Sequence, residues 1–251
     1  VLQHNAAHLG IVTGTCLAEA TREHLPRLAA VVVLGSAYLA TVATAMAEVL
    51  GAAIALQMLL GLPLRAGCVI VAAASLLMLA TSSYKRIERW IIAFVSVVGL
   101  SFLAELALVD VSWPATATGW VTPSLPAGSV AIVTSVLGAV VMPHNLFLHS
   151  EVVQSVHYDQ QGDDVIEERL RFELFDTLFS MGVGWAINSA MVILAATTFW
   201  THGLAIDDLA LAASTLEPIL GPAARAIFAV ALLFAGLSSS VTAGMAAGTI
   251  S

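Results

Sequence analysis

The chain has 251 residues, 59% of them apolar and only 10% charged, with a formal net charge of −8. A mean hydropathy of +0.94 leaves too few polar groups to clothe a soluble domain of this length, so the composition excludes a water-soluble globular protein and indicates a polytopic membrane protein. Its nine Lys and Arg form no basic run or aromatic-interleaved patch, which excludes a nucleic-acid partner, and two cysteines, Cys16 and Cys68, are too few for a disulfide framework or a metal cluster.

The apolar stretches are mostly about 20 residues or longer, the length of a helix across roughly 30 Å of hydrocarbon, and they lack the ten-residue alternation of barrel strands. Residues 1–14 read as the end of one span, and the polar segment that ends at Pro26 and Arg27 as a first loop. A long apolar stretch, 28–62, carries a single charge, Glu48. After Arg65 come a span over 66–81, a basic connection from Tyr84 to Arg89, and a span over 90–109 interrupted only by Glu105, which lies nearer the span's end than its centre and fits an ion pair or an interfacial position at least as well as a proton carrier. Residues 110–127 hold three prolines and Gly119, chemistry that favours turns and predicts an ordered loop.

A span over 128–156 follows. Polar residues 157–171, where Asp163, Asp164, Glu167 and Glu168 cluster as a solvated face, lead into a span over 175–200. A loop rich in Asp and Pro and a last span over 222–248 complete six spans plus the tail of a seventh. Without a charged leader at Val1 or a closing polar segment after Ser251, the sequence reads as an internal piece of something longer, forming one transmembrane domain over 1–251.

Counted connection by connection, Arg22, Arg27, Lys85, Arg86, Arg89, Arg169 and Arg171 fall on one side of the membrane, with Arg65 and Arg225 on the other. The positive-inside bias makes the first side cytoplasmic, so loops 15–27, 82–89 and 157–173 are expected there. Their alternation supports the span count independently.

The chemistry concentrates in Val140-Val141-Met142-Pro143-His144-Asn145-Leu146-Phe147-Leu148-His149-Ser150. A proline inside a helix removes one backbone N–H and clashes with the preceding turn, so Pro143, with Gly138 upstream, predicts a helix break that frees carbonyls around Ala139. Met142 offers a thioether, a soft ligand that suits late transition metals and gives little to Mg²⁺ or Ca²⁺. His144 and His149, five residues apart, lie about 140° apart around a continuous helix and cannot both face one metal from it. They are better suited to relaying protons through a polar passage.

Glu48 sits mid-span beside Ala47, Gly51, Ala52 and Ala55, small residues that admit a close helix neighbour. An unpaired carboxylate there costs several kcal/mol, so it must be paired, protonated or next to water, which suits a proton carrier. Asn188 is a further candidate for polar lining, and Glu151 and Asp176 are polar groups that face inward at best.

The MPHN-to-HS run closely resembles the motif of the Nramp metal-transporter family. Leu9-Gly10-Ile11-Val12-Thr13-Gly14 resembles the end of that family's second span, Ala47-Glu48-Val49-Leu50-Gly51 with Gly61-Leu62-Pro63-Leu64 its third, and Gly236-Leu237-Ser238-Ser239-Ser240 its eighth. The resemblance implies an all-α LeuT-like fold with inverted repeats, of which this chain holds the end of span two through most of span eight. It implies import of Mn²⁺, Fe²⁺ and similar divalent metals across a bacterial plasma membrane, in symport with protons and with no resident cofactor. On that resemblance Met142 supplies the thioether ligand and Ala139 a carbonyl, while His144 and Glu48, and less directly His149, belong to the proton route.

Two features depart from the family pattern. The first-span Asp-Pro-Gly-Asn ligands are absent from this sequence, and Ala45 stands where the family often has an acidic residue. The alternatives are the family's magnesium-transporting branch, which need not couple protons, an intramembrane metal-dependent hydrolase using His144, His149 and Glu151, and a non-transporting scaffold.

Overall fold

A computed structural model of the chain describes residues 1–122, 124–199, 203, 209, 211 and 222–250. Among these there are α-helices and one short 3-10 turn but no strand. In order they are α1 (Leu2–Thr13), α2 (Leu17–His24), α3 (Arg27–Leu60), α4 (Leu64–Thr81), α5 (Tyr84–Ala107), α6 (Trp113–Val121), α7 (Val130–Val140), α8 (Pro143–Gln154), α9 (Asp163–Thr198) and α10 (Pro222–Ile250). The described residues include six segments long and apolar enough to cross a membrane: Arg27–Leu60, Leu64–Thr81, Lys85–Ala107, Val130–Gln160, Asp163–Thr198 and Ala223–Ile250. These are the six spans expected from hydropathy. At 34 residues, α3 is about 50 Å long and exceeds the hydrocarbon thickness.

The polar connections are more helical than the sequence suggests. Residues 15–27 contain α2, and α5 and α9 begin inside the stretches 82–89 and 157–173, which leaves only short links outside the helices. Residues 110–127 were expected to be a loop but hold α6, because Pro114 falls in its first turn, where its fixed φ suits a helix and its missing N–H has no partner to lose. The Asp- and Pro-rich connection after α9 lies almost wholly outside the described residues.

The chain forms two compact units, each assembled from discontinuous segments. The first comprises Val1–Met46, Met142–Gly184 and Ser240–Ser251; the second comprises Ala47–Val141 and Trp185–Ser239. In the first unit, α1 packs along α8, and the LGIVTG stretch explains how. A Cβ at Gly10 would lie 2.9 Å from the Ser150 carbonyl oxygen and 3.1 Å from the Gln154 nitrogen, so only glycine lets the two backbones approach this closely. Gly14 then ends α1 at φ 65°, a left-handed cap that an L side chain adopts with strain.

Ser150 ties α8 to α2. Fully buried, it donates from Oγ to the Phe147 carbonyl at 2.7 Å and accepts the first N–H of α2, from Leu17, at 2.9 Å. Ser150→Ala therefore leaves a buried helix-start N–H without its acceptor and is expected to cost about 1–2 kcal/mol, read as a fall in thermal stability of the purified protein. A small core of Cys16, Ala18, Ala37, Phe147 and Ile250 packs around this junction.

In the second unit, one cluster joins Phe102 of α5, Ala190 and Leu194 of α9, and Ala231 of α10. Another joins Ala52 and Leu56 of α3, Val71 of α4, and Leu233 and Leu237 of α10. Large apolar side chains elsewhere are exposed, including Leu39, Leu76, Leu77 and Phe179, and α7 buries none of its residues within the chain. Water does not tolerate so much contiguous apolar surface, whereas lipid does.

Candidate functional site

The predicted break is present. Helix α7 ends at Val140, with Val141 at φ −93°, ψ 68° as its last cap, and Met142 opens α8 in an extended conformation at φ −68°, ψ 104°. Pro143 is the first helical residue of α8, the position where proline is best tolerated. Ala139 would normally pair with the N–H four residues on, but that residue is Pro143, so its carbonyl has no intrahelical donor. Gly138, expected to take part in the break, instead lies within α7, and the departure from helix falls at Val141 and Met142. Proline alone accounts for it, since glycine in a helix weakens the turn without removing a hydrogen bond.

Met142 is half-buried, and its sulfur accepts an N–H from Asn145 Nδ2 at 3.3 Å. A thioether is a poor helix cap, and Met142 makes no capping hydrogen bond from its side chain. His144 is 2% exposed, and its Nδ1 has no hydrogen-bond partner among the described residues. His149 pairs elsewhere: its Nε2 lies 2.9 Å from Glu173 Oε1 on α9, which also accepts the Thr177 hydroxyl at 3.0 Å. The two imidazoles thus serve separate surroundings, as their spacing required. Glu173 was not singled out in the sequence, because 24 residues and a connection separate it from His149 and only the pairing of α8 with α9 joins them.

Glu151 accepts a hydrogen bond from Thr249. With His144 buried, His149 on Glu173 and Glu151 on Thr249, these three side chains do not converge. Among the described residues no group of three or more His, Cys, Asp or Glu is arranged to hold a metal ion. Nothing here supports the hydrolase alternative.

Glu48, partly buried on α3, receives a side-chain hydrogen bond from Ser239 of α10. Gly236 makes that possible: a Cβ there would lie 2.6 Å from the Glu48 carbonyl oxygen and 2.8 Å from the Ala52 Cβ. Helix α10 therefore crosses α3 by direct backbone approach one turn from the serine. Asn188 is exposed on α9. Glu105 differs from expectation, being fully buried, with both carboxyl oxygens unpartnered among the described residues. Helix phase explains this, because Glu105 shares the face of Phe102, which packs inward.

Outside the spans, Glu19 of α2 accepts the Cys16 backbone N–H at 3.0 Å and an N–H of Gln154 at 2.6 Å. The Cys16 N–H, ahead of Gln154 and the nearby Arg22, holds its carboxyl below the usual range, whereas burial pushes the Cys16 thiol up and keeps it a poor metal ligand. A depressed carboxyl contributes stability that is complete above its unfolded value, about 4.3, and is lost as pH falls through the lower folded value. Glu19→Gln is accordingly expected to lower stability near neutral pH slightly and to flatten its acid limb, measured as thermal stability from pH 7 to below 4.

A family model for natural resistance-associated macrophage protein-like (Nramp) proteins matches residues 1–251. The chain belongs to the Nramp family. It is 39% identical to a divalent metal cation transporter MntH of Burkholderia ambifaria over 98% of this chain and 56% of that protein. A protein of the same description from Deinococcus radiodurans is 38% identical over 100% and 58%. A crystal structure of the Eremococcus coleocola manganese transporter, in complex with an aromatic bis-isothiourea substituted compound, matches with a TM-score of 0.81 at 28% identity, covering 99% of this chain and 55% of that one. The chain thus spans about half the length of the relatives it matches. Its fold is the LeuT-like fold of Nramp transporters, and it is a multi-pass integral membrane protein.

Proposed function

We propose that the chain forms part of an importer of divalent transition metals, Mn²⁺ and Fe²⁺ among them, that works as a single transporter domain by alternating access about the break at Val141 and Met142. The observation that carries this reading is the break itself, in which Pro143 deprives Ala139 of its donor and Met142 stands at the helix start without a capping role. Discontinuous helices use such freed carbonyls to hold cations. The Met142 sulfur and the Ala139 carbonyl serve as two ligands, and the family resemblance assigns the rest to a first-span motif outside this sequence.

Proton coupling is the finer part of the reading. Glu48, with Ser239 to donate to it, and the buried His144 are its carriers. His149 extends the route through Glu173, and Asn188 contributes an amide to the polar lining. The loops over 15–27, 82–89 and 157–173 face the cytoplasm on the strength of their seven Lys and Arg, counted from the sequence.

The test is uptake by the full-length protein in proteoliposomes, with Mn²⁺ and Mg²⁺ compared at two external pH values beside Glu48→Gln. The expected result is Mn²⁺ entry without Mg²⁺, faster from acid, with the pH response lost in the variant. Equal Mg²⁺ entry would move the protein to the magnesium branch, and no entry of either ion would leave a scaffold.

A further inference from the structure

Within the first unit, α1, α8 and α9 bring four titratable side chains together away from the break. Glu173 of α9 is largely buried, and its Oε1 is hydrogen-bonded both to His149 Nε2, at 2.9 Å, and to the Thr177 hydroxyl, at 3.0 Å. From α1, His4 comes close enough to act electrostatically on the same carboxylate. Its Nδ1 is buried and has no hydrogen-bond partner among the described residues. A buried imidazole nitrogen left unpaired is costly, so position 4 is a poor place for a histidine that only packs. One turn on, the His8 ring lies 5.2 Å from the His4 ring, centroid to centroid, and His8 is exposed. Residues four apart share a helix face, which is what sets the two imidazoles side by side.

The four groups are ordered in space. His149 lies on the α8 side, Glu173 next, then His4, and His8 stands one turn nearer the end of α1 at Thr13, which is about 8 Å further along. The connection that follows, 15–27, is the one the positive-inside count places in the cytoplasm. Other titratable groups around α1 are engaged or lie apart: Glu151 of α8 bonds Thr249, Asp176 of α9 is exposed, and His144 is buried nearer the break. Tyr158 lies under the Arg169 guanidinium, Asp159 abuts Gly14, and Glu19 meets that glycine through Gln154.

We propose that His149, Glu173, His4 and His8 form a proton-release path to the cytoplasm, with Glu173 as its central shuttle and His8 as its exit. The path rests on the proton-coupled reading of the transport site. A proton on His149 Nε2 passes to Glu173 Oε1, from there to the His4 ring, then to His8, which gives it to water. Each group ends in the state in which it began, so no other reactant is needed. Chains of His and acidic side chains within membrane proteins move protons in this way, and Thr177 holds the carboxylate in place.

The experiment uses the full-length protein in proteoliposomes, with a pH dye inside the vesicles, and reads proton entry alongside Mn²⁺ entry from acid outside. Glu173→Gln and His8→Gln are expected to slow proton entry by about tenfold or more, while Mn²⁺ affinity in detergent stays at the wild-type value. Added imidazole is expected to restore proton entry in His8→Gln, whose site is exposed, and not in Glu173→Gln, whose site is largely buried. A residue that merely held helices together would not be rescued by a free base. His24→Gln, at another exposed histidine, on α2, should behave as wild type.

Glu48→Gln separates the two ways of failing. If the wild type admits no protons with Mn²⁺, or Glu48→Gln admits them as well as the wild type, the coupled reading falls and the path with it. If Glu48→Gln loses proton entry while Glu173→Gln and His8→Gln keep it in full, the path alone is wrong. It is also wrong if imidazole leaves His8→Gln slow, or if His24→Gln slows as much. His8 makes no contact that folding depends on beyond the His4 ring, so the exit variant reports even where Glu173→Gln fails to fold.

Discussion

In Met142→Ala, discrimination between Mn²⁺ and Mg²⁺ by the full-length protein is expected to fall by about tenfold or more, a loss of at least about 1.4 kcal/mol of differential binding. Competition assays should show Cd²⁺, the softer ion, losing most affinity, while Mg²⁺ and Ca²⁺ begin to compete. The reason is ligand chemistry: a thioether adds little for a hard ion but favours polarizable metals, so removing it narrows the gap from the transition-metal side.

A purely structural methionine would behave differently. Met142 is only half-buried and makes no side-chain cap, so its truncation is expected to change melting temperature little. Met142→Ser sharpens the comparison. Serine is a good helix cap, so this variant should fold at least as well as Met142→Ala, yet its hydroxyl is a hard ligand. If transport by the serine variant keeps the wild-type preference for Mn²⁺, the sulfur is not the filter. If stability rises while preference falls, the methionine stands at this helix start for a reason other than folding.

The break was legible because its cause is local. Proline removes its own N–H wherever it lies, so Pro143 and the carbonyl four residues earlier could be named without knowing what packs on them. The span count was legible for a related reason, since hydrocarbon imposes a length on every helix that crosses it. Partners were not. His149 meets Glu173 and Glu48 meets Ser239 through packing between helices, and no spacing in the chain encodes either pair. Glu105 was misread because depth was judged from its distance to the end of an apolar run, whereas its burial follows from the face it shares with Phe102. The helices α2 and α6 escaped notice because polar and proline-rich stretches signal turns only where the proline lies beyond a helix's first turn.

Gly236→Leu is expected to be among the most damaging single changes in the second unit, with a loss of about 3 kcal/mol or more, and even Gly236→Ala should be costly. The Cβ alone would fall 2.6 Å from the Glu48 carbonyl oxygen and 2.9 Å from the Ala52 nitrogen, and backbone atoms of a long helix cannot step aside as a flexible side chain can. Helices α3 and α10 would have to separate, opening the cluster of Ala52, Leu56, Val71 and Leu237. Gly51→Ala is the matched control: its Cβ would meet only the Leu232 Cδ1 at 3.7 Å, an ordinary contact, so the gain in helix propensity should make it neutral or slightly stabilising. Melting temperatures of the two alanine variants compare packing directly. The same separation would draw Ser239 away from the Glu48 carboxyl, so any Gly236→Ala protein that still folds should show an altered pH response of uptake, whereas Gly51→Ala should not. If both variants melt alike and keep the wild-type pH response, the backbone contact at Gly236 is not what holds α10 against Glu48.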